Sequence, residues 1–385
     1  MWYGWEESSG PVHSTDPTDA NINPVRAVTM CGKKVNRYGA WRLSQSQPAK
    51  VECDLGYNTP TPPPPPHSPS TAHSDTPNQT QGLPAVRAVA VSAGNDYSLA
   101  ALGDGTVWRW GGGYTNGGAS TPIQISGLSN VVALAGYKLA LDSSGRVWDI
   151  SGTSPAAISG LPRIVKISQG SDHFLALDTS GNVWAWGFNT YGQLGNGATS
   201  ATYQAVPTKV IVSSRSNAAI NNVAGIAAGN SFSVAVKSDG TAWAWGAGAS
   251  GQIGNGLTKN QSLPQKVNVL TTATDVFTSG STAAVLLGDG TLMTWGSNYE
   301  GLLGNNGAVT LSSSPVAVTM PPGMTFASMS STSDSASFFL ALGSDGSVWG
   351  WGGNPWGNIG DGSENNIYKT PVRSLMSGVP IPSRC

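Results

Sequence analysis

Apolar and polar residues alternate in short runs along most of the chain, and the runs recur in pairs. From Ser231 to Gly246, SFSVAVKSDGTAWAWG, the alternation passes through Phe232, Val234 and Val236, turns at Asp239-Gly240, and resumes through Trp243 and Trp245. A period of two is the signature of a strand with one buried face. The turn pairs are Asp104-Gly105, Ser144-Gly145, Ser180-Gly181, Asp239-Gly240, Asp289-Gly290 and Asp345-Gly346. Such a pair between alternating runs predicts a tight two-residue β-hairpin, because glycine takes the positive φ without a Cβ clash. Upstream of each pair stands a small-residue segment, such as Val91-Ser-Ala-Gly94 or Ile226-Ala-Ala-Gly229, suited to the crowded innermost strand around an axis. Downstream stands a run with proline (Pro122, Pro207, Pro264, Pro315, Pro371), and proline belongs on a sheet edge. Four short strands ending in an outer edge make one blade of a β-propeller. The chain is therefore predicted to be all-β, with six recognisable four-stranded blades over residues 85–375.

The unit best preserved is Val183 to Gly197, VWAWGFNTYGQLGNG, and relatives of it begin at Val107, Val147, Ala242, Leu292 and Val348. The hairpin glycines fall at 105, 145, 181, 240, 290 and 346, so the repeat length varies and insertions are expected in loops. The second unit, Val147-Trp-Asp-Ile-Ser-Gly152, lacks the second Trp and the glycine loop, and reads as a trimmed blade. Elsewhere two Trp stand two residues apart (108 and 110, 184 and 186, 243 and 245, 349 and 351), on one sheet face with a small residue between in most units. Their periodicity with the fold predicts inter-blade core rather than an aromatic ligand cage.

Composition supports a turn-dense β protein. Charged residues are 11% of the chain against about 25% in ordinary soluble domains, glycine numbers 50, Trp 14, and the formal net charge is −1. Near-neutrality gives no strong case for a protein that grips nucleic-acid phosphates. No apolar run approaches the ~20 residues needed to span a bilayer, and MWYGWEESSG has neither the basic nor the apolar region of a cleavable signal peptide. Cys31, Cys53 and Cys385 are too few for a disulfide framework and wrongly spaced for zinc, although a Cys31–Cys53 bridge would fit a small β element. Residues 1–57 form a separate N-terminal region, in which Arg26, Lys33, Lys34, Arg37, Arg42 and Lys50 follow an acidic start. That stretch is either a solvated surface or a contact for an anionic partner. Val25-Arg-Ala-Val28 recurs as Val86-Arg-Ala-Val89, so a degenerate blade could begin there. Residues 58–84, with a proline run at 60–66, read as a flexible linker or a proline-rich ligand, and 376–385 as a tail.

Trp186-Gly-Phe-Asn-Thr-Tyr-Gly-Gln-Leu-Gly-Asn-Gly197 resembles the W-G-x-N-x-x-G-Q-L-G-x-G segment of the regulator of chromosome condensation repeat family; Trp245–Gly256, Trp295–Asn306 and Trp351–Gly362 keep the frame with drift. His173 occupies the frequent histidine of that family's companion segment A-A-G-x-x-H-[ST]-x-A-L, with Phe232 and Tyr97 in the same slot elsewhere. The resemblance implies a β-propeller, seven-bladed in the founding members. A seventh blade here must then be degenerate, supplied by flanking sequence, or absent. It also implies function by protein contact. The founding member exchanges nucleotide on the small GTPase Ran at chromatin, and look-alikes include secreted inhibitors of β-lactamases and bacterial effectors acting on host GTPases. No insertion like the founding member's exchange wedge is recognisable, and residues 85–385 carry 14 basic and 14 acidic side chains, which weakens a chromatin role.

Catalytic chemistry is hard to place. Of four histidines, His13, His67 and His73 precede the repeats, and His173 sits in a repeated slot, so neither a metal cluster nor a histidine relay emerges and no cofactor is expected. The informative positions are the two variable residues of each W-G-x-N-x-x-G loop. There the frame is held while the tips change: Thr190-Tyr191, Ala249-Ser250, Tyr299-Glu300, Pro355-Trp356, and Tyr114-Thr115 in the looser first loop. Tyr114, Tyr191, Tyr299, Glu300 and Trp356 are thus the candidate binding residues, either as hot spots on one face or folded onto neighbouring blades. Three readings stand: a non-catalytic protein-binding propeller, a small-GTPase exchange factor or effector, and a secreted or surface adhesin or inhibitor binding protein or glycan.

Overall fold

A computed structural model describes residues 42–43, 82–84, 86–93, 97–111, 119–331, 337–355 and 357–375. Most of 1–57, the proline run, the Val25–Val28 echo, the Cys31–Cys53 pairing, the 376–385 tail, Tyr114 and Trp356 lie outside these residues. A two-residue strand β1 (Arg42–Leu43) precedes the repeats. Blade 1 is β2 (Ala88–Ala93), β3 (Tyr97–Leu102), β4 (Val107–Gly111) and β5 (Ala119–Ile125). Blade 2 is β6 (Val131–Ala135), β7 (Leu139–Asp142), β8 (Val147–Asp149) and β9 (Ala156–Ala157). Blade 3 is β10 (Ile164–Gln169), β11 (His173–Asp178), β12 (Val183–Asn189) and β13 (Ser200–Lys209), followed by an extra hairpin, β14 (Ile211–Ser213) and β15 (Ala218–Ala219). Blade 4 is β16 (Val223–Ala228), β17 (Phe232–Lys237), β18 (Ala242–Gly246) and β19 (Gln261–Lys266). Blade 5 is β20 (Ala273–Ser279), β21 (Thr282–Leu287), β22 (Leu292–Ser297) and β23 (Leu311–Ala317). Blade 6 is β24 (Phe326–Ser331), β25 (Phe338–Gly343), β26 (Val348–Asn354) and β27 (Asn366–Arg373). Each blade is an antiparallel meander from an innermost to an outermost strand, and β1 adds to the inner edge of β24. The six-bladed propeller read from the sequence is the fold. Blade 2 is trimmed as expected, with Ile150, buried, where other blades place their second Trp.

The hairpins differ from expectation in one respect. In blade 1, Gly105 N–H donates to Leu102 O and Leu102 N–H to Thr106 O, and the other five turns repeat this pair of bonds. The loop therefore has three residues: a turn followed by glycine in the left-handed region, with φ from +75° at Gly181 to +87° at Gly145. The Asp or Ser before the glycine keeps an ordinary φ. The aspartates also reach onward. Asp142 and Asp178 accept the indole N–H of Trp148 and Trp184 at 2.9 and 3.0 Å. Asp239 and Asp345 instead accept the hydroxyls of Thr241 and Ser347, which in turn accept the indoles of Trp243 and Trp349. Turn chemistry thus orients the first Trp of the next strand.

The apolar interior is a series of seams. One cluster joins Leu175, Leu177, Ala185 and Leu194 of blade 3 to Trp245 of blade 4; another joins Val234, Val236 and Ile253 of blade 4 to Trp295 of blade 5; a third joins Phe277 and Leu302 of blade 5 to Trp351 of blade 6. In blades 3 to 6 the second Trp therefore fills the gap to the preceding blade, as its spacing implied, and Trp245, Trp295 and Trp351 are fully buried; Trp110 of blade 1 packs, among the described residues, against its own blade. On the hairpin face a backbone link repeats: Ile164, Val223, Ala273 and Phe326, each the first or near-first residue of an inner strand, donate to the hairpin glycine carbonyl of the blade before. The five prolines lie in outermost strands, at the register break opposite the second Trp of blades 1, 3, 4, 5 and 6, where no ladder N–H is required.

Gly240 illustrates how tightly the hairpin face is built, since a Cβ there would collide with the carbonyl of Thr271 in the next blade. Gly160 has a similar φ of +81° but open space around it. We expect Gly240→Ala to cost about 2–4 kcal/mol and Gly160→Ala only about 1 kcal/mol, measured as shifts in urea unfolding midpoint. Equal costs would mean that φ alone, and not the blade contact, selects glycine at 240.

Candidate functional site

Antiparallel meanders place two sets of loops on one face of the ring: those between first and second strands and those between third and fourth strands. On this loop face the W-G-x-N-x-x-G-Q-L-G segments are fixed from within. Asn189 accepts the Leu194 N–H at 3.0 Å and donates to Ala198 O at 3.0 Å. Asn298 and Asn354 accept the N–H of Leu303 and Ile359 in the same way, at 3.0 and 2.9 Å. In blade 4 Gly248 stands in place of this Asn, and its own N–H donates to Asn260 Oδ1 at 3.0 Å. The glycines at 192, 251 and 301 then turn the chain with φ of +85°, +79° and +77°.

Gln193 links the loop tip to the blade boundary. Its side-chain Oε1 accepts the Tyr191 N–H at 2.9 Å, and Gln252 does the same for Ser250 at 2.7 Å. Its backbone carbonyl accepts two donors from blade 4, Trp245 Nε1 at 2.8 Å and Ser233 Oγ at 2.9 Å. Because the Ser233 proton is directed to that carbonyl, His173 Nε2 is the donor in its 2.8 Å bond to Ser233 Oγ. His173 is fully buried, so it is a structural residue at the blade 3–4 boundary. Asp172 completes the cluster, facing His173 Nδ1 at 3.4 Å and accepting Gln193 Nε2 at 3.4 Å and Ser231 Oγ at 3.1 Å. Burial alone would raise the Asp172 carboxyl, but its bonds with His173, Gln193 and Ser231 outweigh that and hold it below its ordinary value.

Of the candidate binding residues, Tyr191 is 42% and Tyr299 65% exposed, both on the loop face. Tyr299–Gly301 forms a single 3₁₀ turn in which Glu300 takes a left-handed φ of 54°. Glu300 does not project freely: it is half-buried and lies over Gly353 of blade 6, where a Cβ would collide with its carboxylate. Two aromatics escaped the sequence reading. Phe188 and Tyr203, 40% and 48% exposed, meet edge-to-face with centroids 5.5 Å apart. Phe188 is the x of W-G-x-N, and the same slot is Ala247, Ser297 and Gly353 in later blades. Gly353 is small because the preceding blade's loop covers it. At blade 3 the preceding blade has no such loop, and Phe188 with Tyr203 occupies the space. The signal was available: a large residue in that slot beside a trimmed neighbour. Burial holds the Tyr203 phenol above its ordinary value, with the Lys138 charge opposing and the Asp149 charge adding.

Two family models described as regulator of chromosome condensation (RCC1) repeats match here, one over residues 180–236 and 239–286, the other over 164–193 and 223–252. Residues 164–286, which span blades 3 and 4 and most of the first two strands of blade 5, are RCC1 repeats. Among related proteins, the human E3 ubiquitin-protein ligase HERC2 is 35% identical over 159 residues, and the Arabidopsis thaliana mitochondrial RCC1 domain-containing protein RUG3 is 29% identical over 217. These matches cover 38% and 47% of this chain but only 3% of HERC2 and 47% of RUG3, so the chain spans less than half of either relative. The fold is similar to that of human WBSCR16, with a TM-score of 0.68 and 21% identity over 89% of this chain and 94% of the other. It is similar as well to Saccharomyces cerevisiae Prp20p, with a TM-score of 0.65 and 19% identity over 89% and 88%. Among the described residues of this RCC1-repeat propeller no group of three His, Cys, Asp or Glu could hold a metal ion, and no helix is long and apolar enough to cross a membrane.

Asp142, Asp172 and Asp178 are all held below the ordinary value of 3.8 by hydrogen bonds that outweigh burial. Their contribution to stability is complete above that value and is lost as pH falls through the lowered folded values. The urea midpoint should therefore drop on acidification below pH 3.8, and Asp172→Asn should lower the midpoint at pH 7 while losing less of it on going to pH 3. An acid-induced loss as large in the variant as in the wild type would exclude Asp172 from this linkage.

Proposed function

We propose that this RCC1-repeat chain is a non-catalytic protein-binding propeller that engages its partner through the loop face. The observation that carries this reading is the division of labour in the loops. Asn189, Gln193 and their equivalents fix the frame from inside, while Tyr191 and Tyr299 stand exposed at tips whose sequence varies from blade to blade. Tyr114 and Trp356 hold the same loop positions in sequence. Tyrosine and tryptophan on rigid supports are the side chains that most often dominate binding energy, because they bring large contact area at small entropic cost. Phe188 and Tyr203 extend the aromatic surface toward the trimmed blade 2.

A second reading, exchange factor or effector for a small GTPase, is supported by likeness of fold. The structure of Prp20p concerns its binding properties to Gsp1p and histones, and at 19% identity that likeness speaks for the fold alone. Accelerated release of a fluorescent guanine nucleotide from a loaded small GTPase on adding the chain would favour this reading.

The protein-binding reading is tested by affinity capture with the full chain, wild type against Tyr191→Ala/Tyr299→Ala. Both side chains are exposed, so circular dichroism should be unchanged. We expect one specific partner to be lost or weakened roughly 30-fold or more, the effect of removing a hot spot. Identical capture by both proteins would rule out the loop-face tyrosines.

A further inference from the structure

Every inner strand is interrupted at the same point. Its pairing with the second strand skips one residue, between Ala88 and Ala90, Val131 and Ala133, Ile164 and Lys166, Val223 and Gly225, Ala273 and Asp275, and Phe326 and Ser328. Each break is a β-bulge, which leaves its extra residue out of the ladder and re-aims that side chain. The inner strands begin at the hairpin face, where Ile164, Val223, Ala273 and Phe326 bond to the hairpin of the blade before, so the extra residue lies at that face. In blades 4, 5 and 6 it is Ala224, Thr274 and Ala327. In blades 1, 2 and 3 it is Val89, Val132 and Val165, each 42% to 49% exposed. The bulge does not require valine, since alanine and threonine form it elsewhere in the same ring. β2 packs on β6 and β6 on β10, so the three valines make one arc around the hairpin-face end of the ring axis.

Basic side chains border this arc. Arg163 precedes Val165 by two residues, and its stem crosses the hairpin of blade 2, where a Cβ on Gly145 would stand 2.4 Å from Arg163 Cγ. Arg146 and Lys209 are held over the first Trp of blades 2 and 3, 5.5 Å from the Trp148 ring and 5.2 Å from the Trp184 ring. All three cations are exposed. Lys166, beside Val165, does not join them, because its ammonium passes Gly225 to pair with Asp275 at 2.9 Å. Asp142 and Asp178 are buried and accept the amides of their own turns and the indoles of Trp148 and Trp184. Among the described residues, Asp104 is the exposed acid on this side of blades 1–3. We propose that the hairpin face of blades 1–3 is a second interaction surface, which takes an acidic segment of a partner protein with apolar residues at its centre. The valine arc receives the apolar centre, and Arg146, Arg163 and Lys209 receive the carboxylates. An apolar middle inside a charged rim is the usual build of an interface, and the sign of the rim selects the segment. This surface lies on the opposite side of the ring from Tyr191 and Tyr299 and does not depend on the loop-face reading.

The probe is a fluorescein-labelled peptide with a leucine centre and glutamate ends, titrated with the full chain at low salt and followed by anisotropy. Two control peptides carry lysine ends or a serine centre. Saturable binding of the first peptide is expected, with the controls weaker by roughly tenfold or more. Val89→Thr/Val132→Thr/Val165→Thr should weaken it by roughly tenfold or more, with the urea midpoint unchanged because blade 5 already carries Thr274 in that slot. Arg146→Gln/Arg163→Gln should weaken it to a similar extent and flatten its salt dependence. Tyr191→Ala/Tyr299→Ala should leave it unchanged, so that failure of this surface and failure of the loop face are told apart. No binding of the first peptide, equal binding of the lysine-ended peptide, full binding by either hairpin-face variant, or loss of binding in the loop-face variant would each overturn the proposal.

Discussion

The boundaries from blade 3 to blade 6 depend on a clasp: an indole N–H placed against a backbone carbonyl of the loop before it. Trp245 donates to Gln193, Trp295 to Gln252 and Trp351 to Leu302, at 2.8, 2.8 and 3.0 Å. The ring can approach because the loop carries glycine at that point. A Cβ on Gly195, Gly254 or Gly304 would stand 2.7, 2.8 or 2.9 Å from the Trp Nε1 of the next blade. Burying an indole removes about 150–250 Å² from water, and the polar atom it carries must then find a partner. The clasp meets both requirements in one contact, and its repetition explains why W-G and G-Q-L-G recur together.

The same clasp connects architecture to the candidate site. Gln193 holds blade 4 with its backbone and the Tyr191 tip with its side chain, so packing of the ring presets the loop. In blades 3 and 4 the Gln is kept while the tip before it changes from Thr190-Tyr191 to Ala249-Ser250. Where the neighbouring loop is missing, beside blade 2, the pattern breaks in a way that follows from the same geometry. Ile150 replaces the Trp, and Phe188 and Tyr203 occupy uncovered space.

Much of this was legible in the sequence because blade architecture is local. Alternation, hairpin glycines, edge prolines and paired Trp each report on contacts within one repeat or with the next, and they located six blades and an inter-blade core. Three things were not legible. The hairpins have three residues rather than two, because Asp-Gly fixes the glycine but not which residue precedes the turn. The hydrogen-bond partners of the Trp and Gln side chains lie one repeat away and depend on register. The antiparallel pairing of Arg42–Leu43 with β24 has no periodic signature at all, since these two residues resemble no repeat. At the loop tips, Tyr191 and Tyr299 stand exposed, whereas Glu300 folds over Gly353.

The central claim is that the indole and the glycine are one device, and a double-mutant cycle on Trp245→Phe and Gly195→Ala measures it most directly. Removing the indole N–H leaves the Gln193 carbonyl with one donor fewer and opens room beside residue 195. Gly195→Ala should then cost at least about 1 kcal/mol less in the Trp245→Phe background than in the wild type. Costs that add to within about 0.5 kcal/mol would show the two residues to be independent and would contradict the clasp.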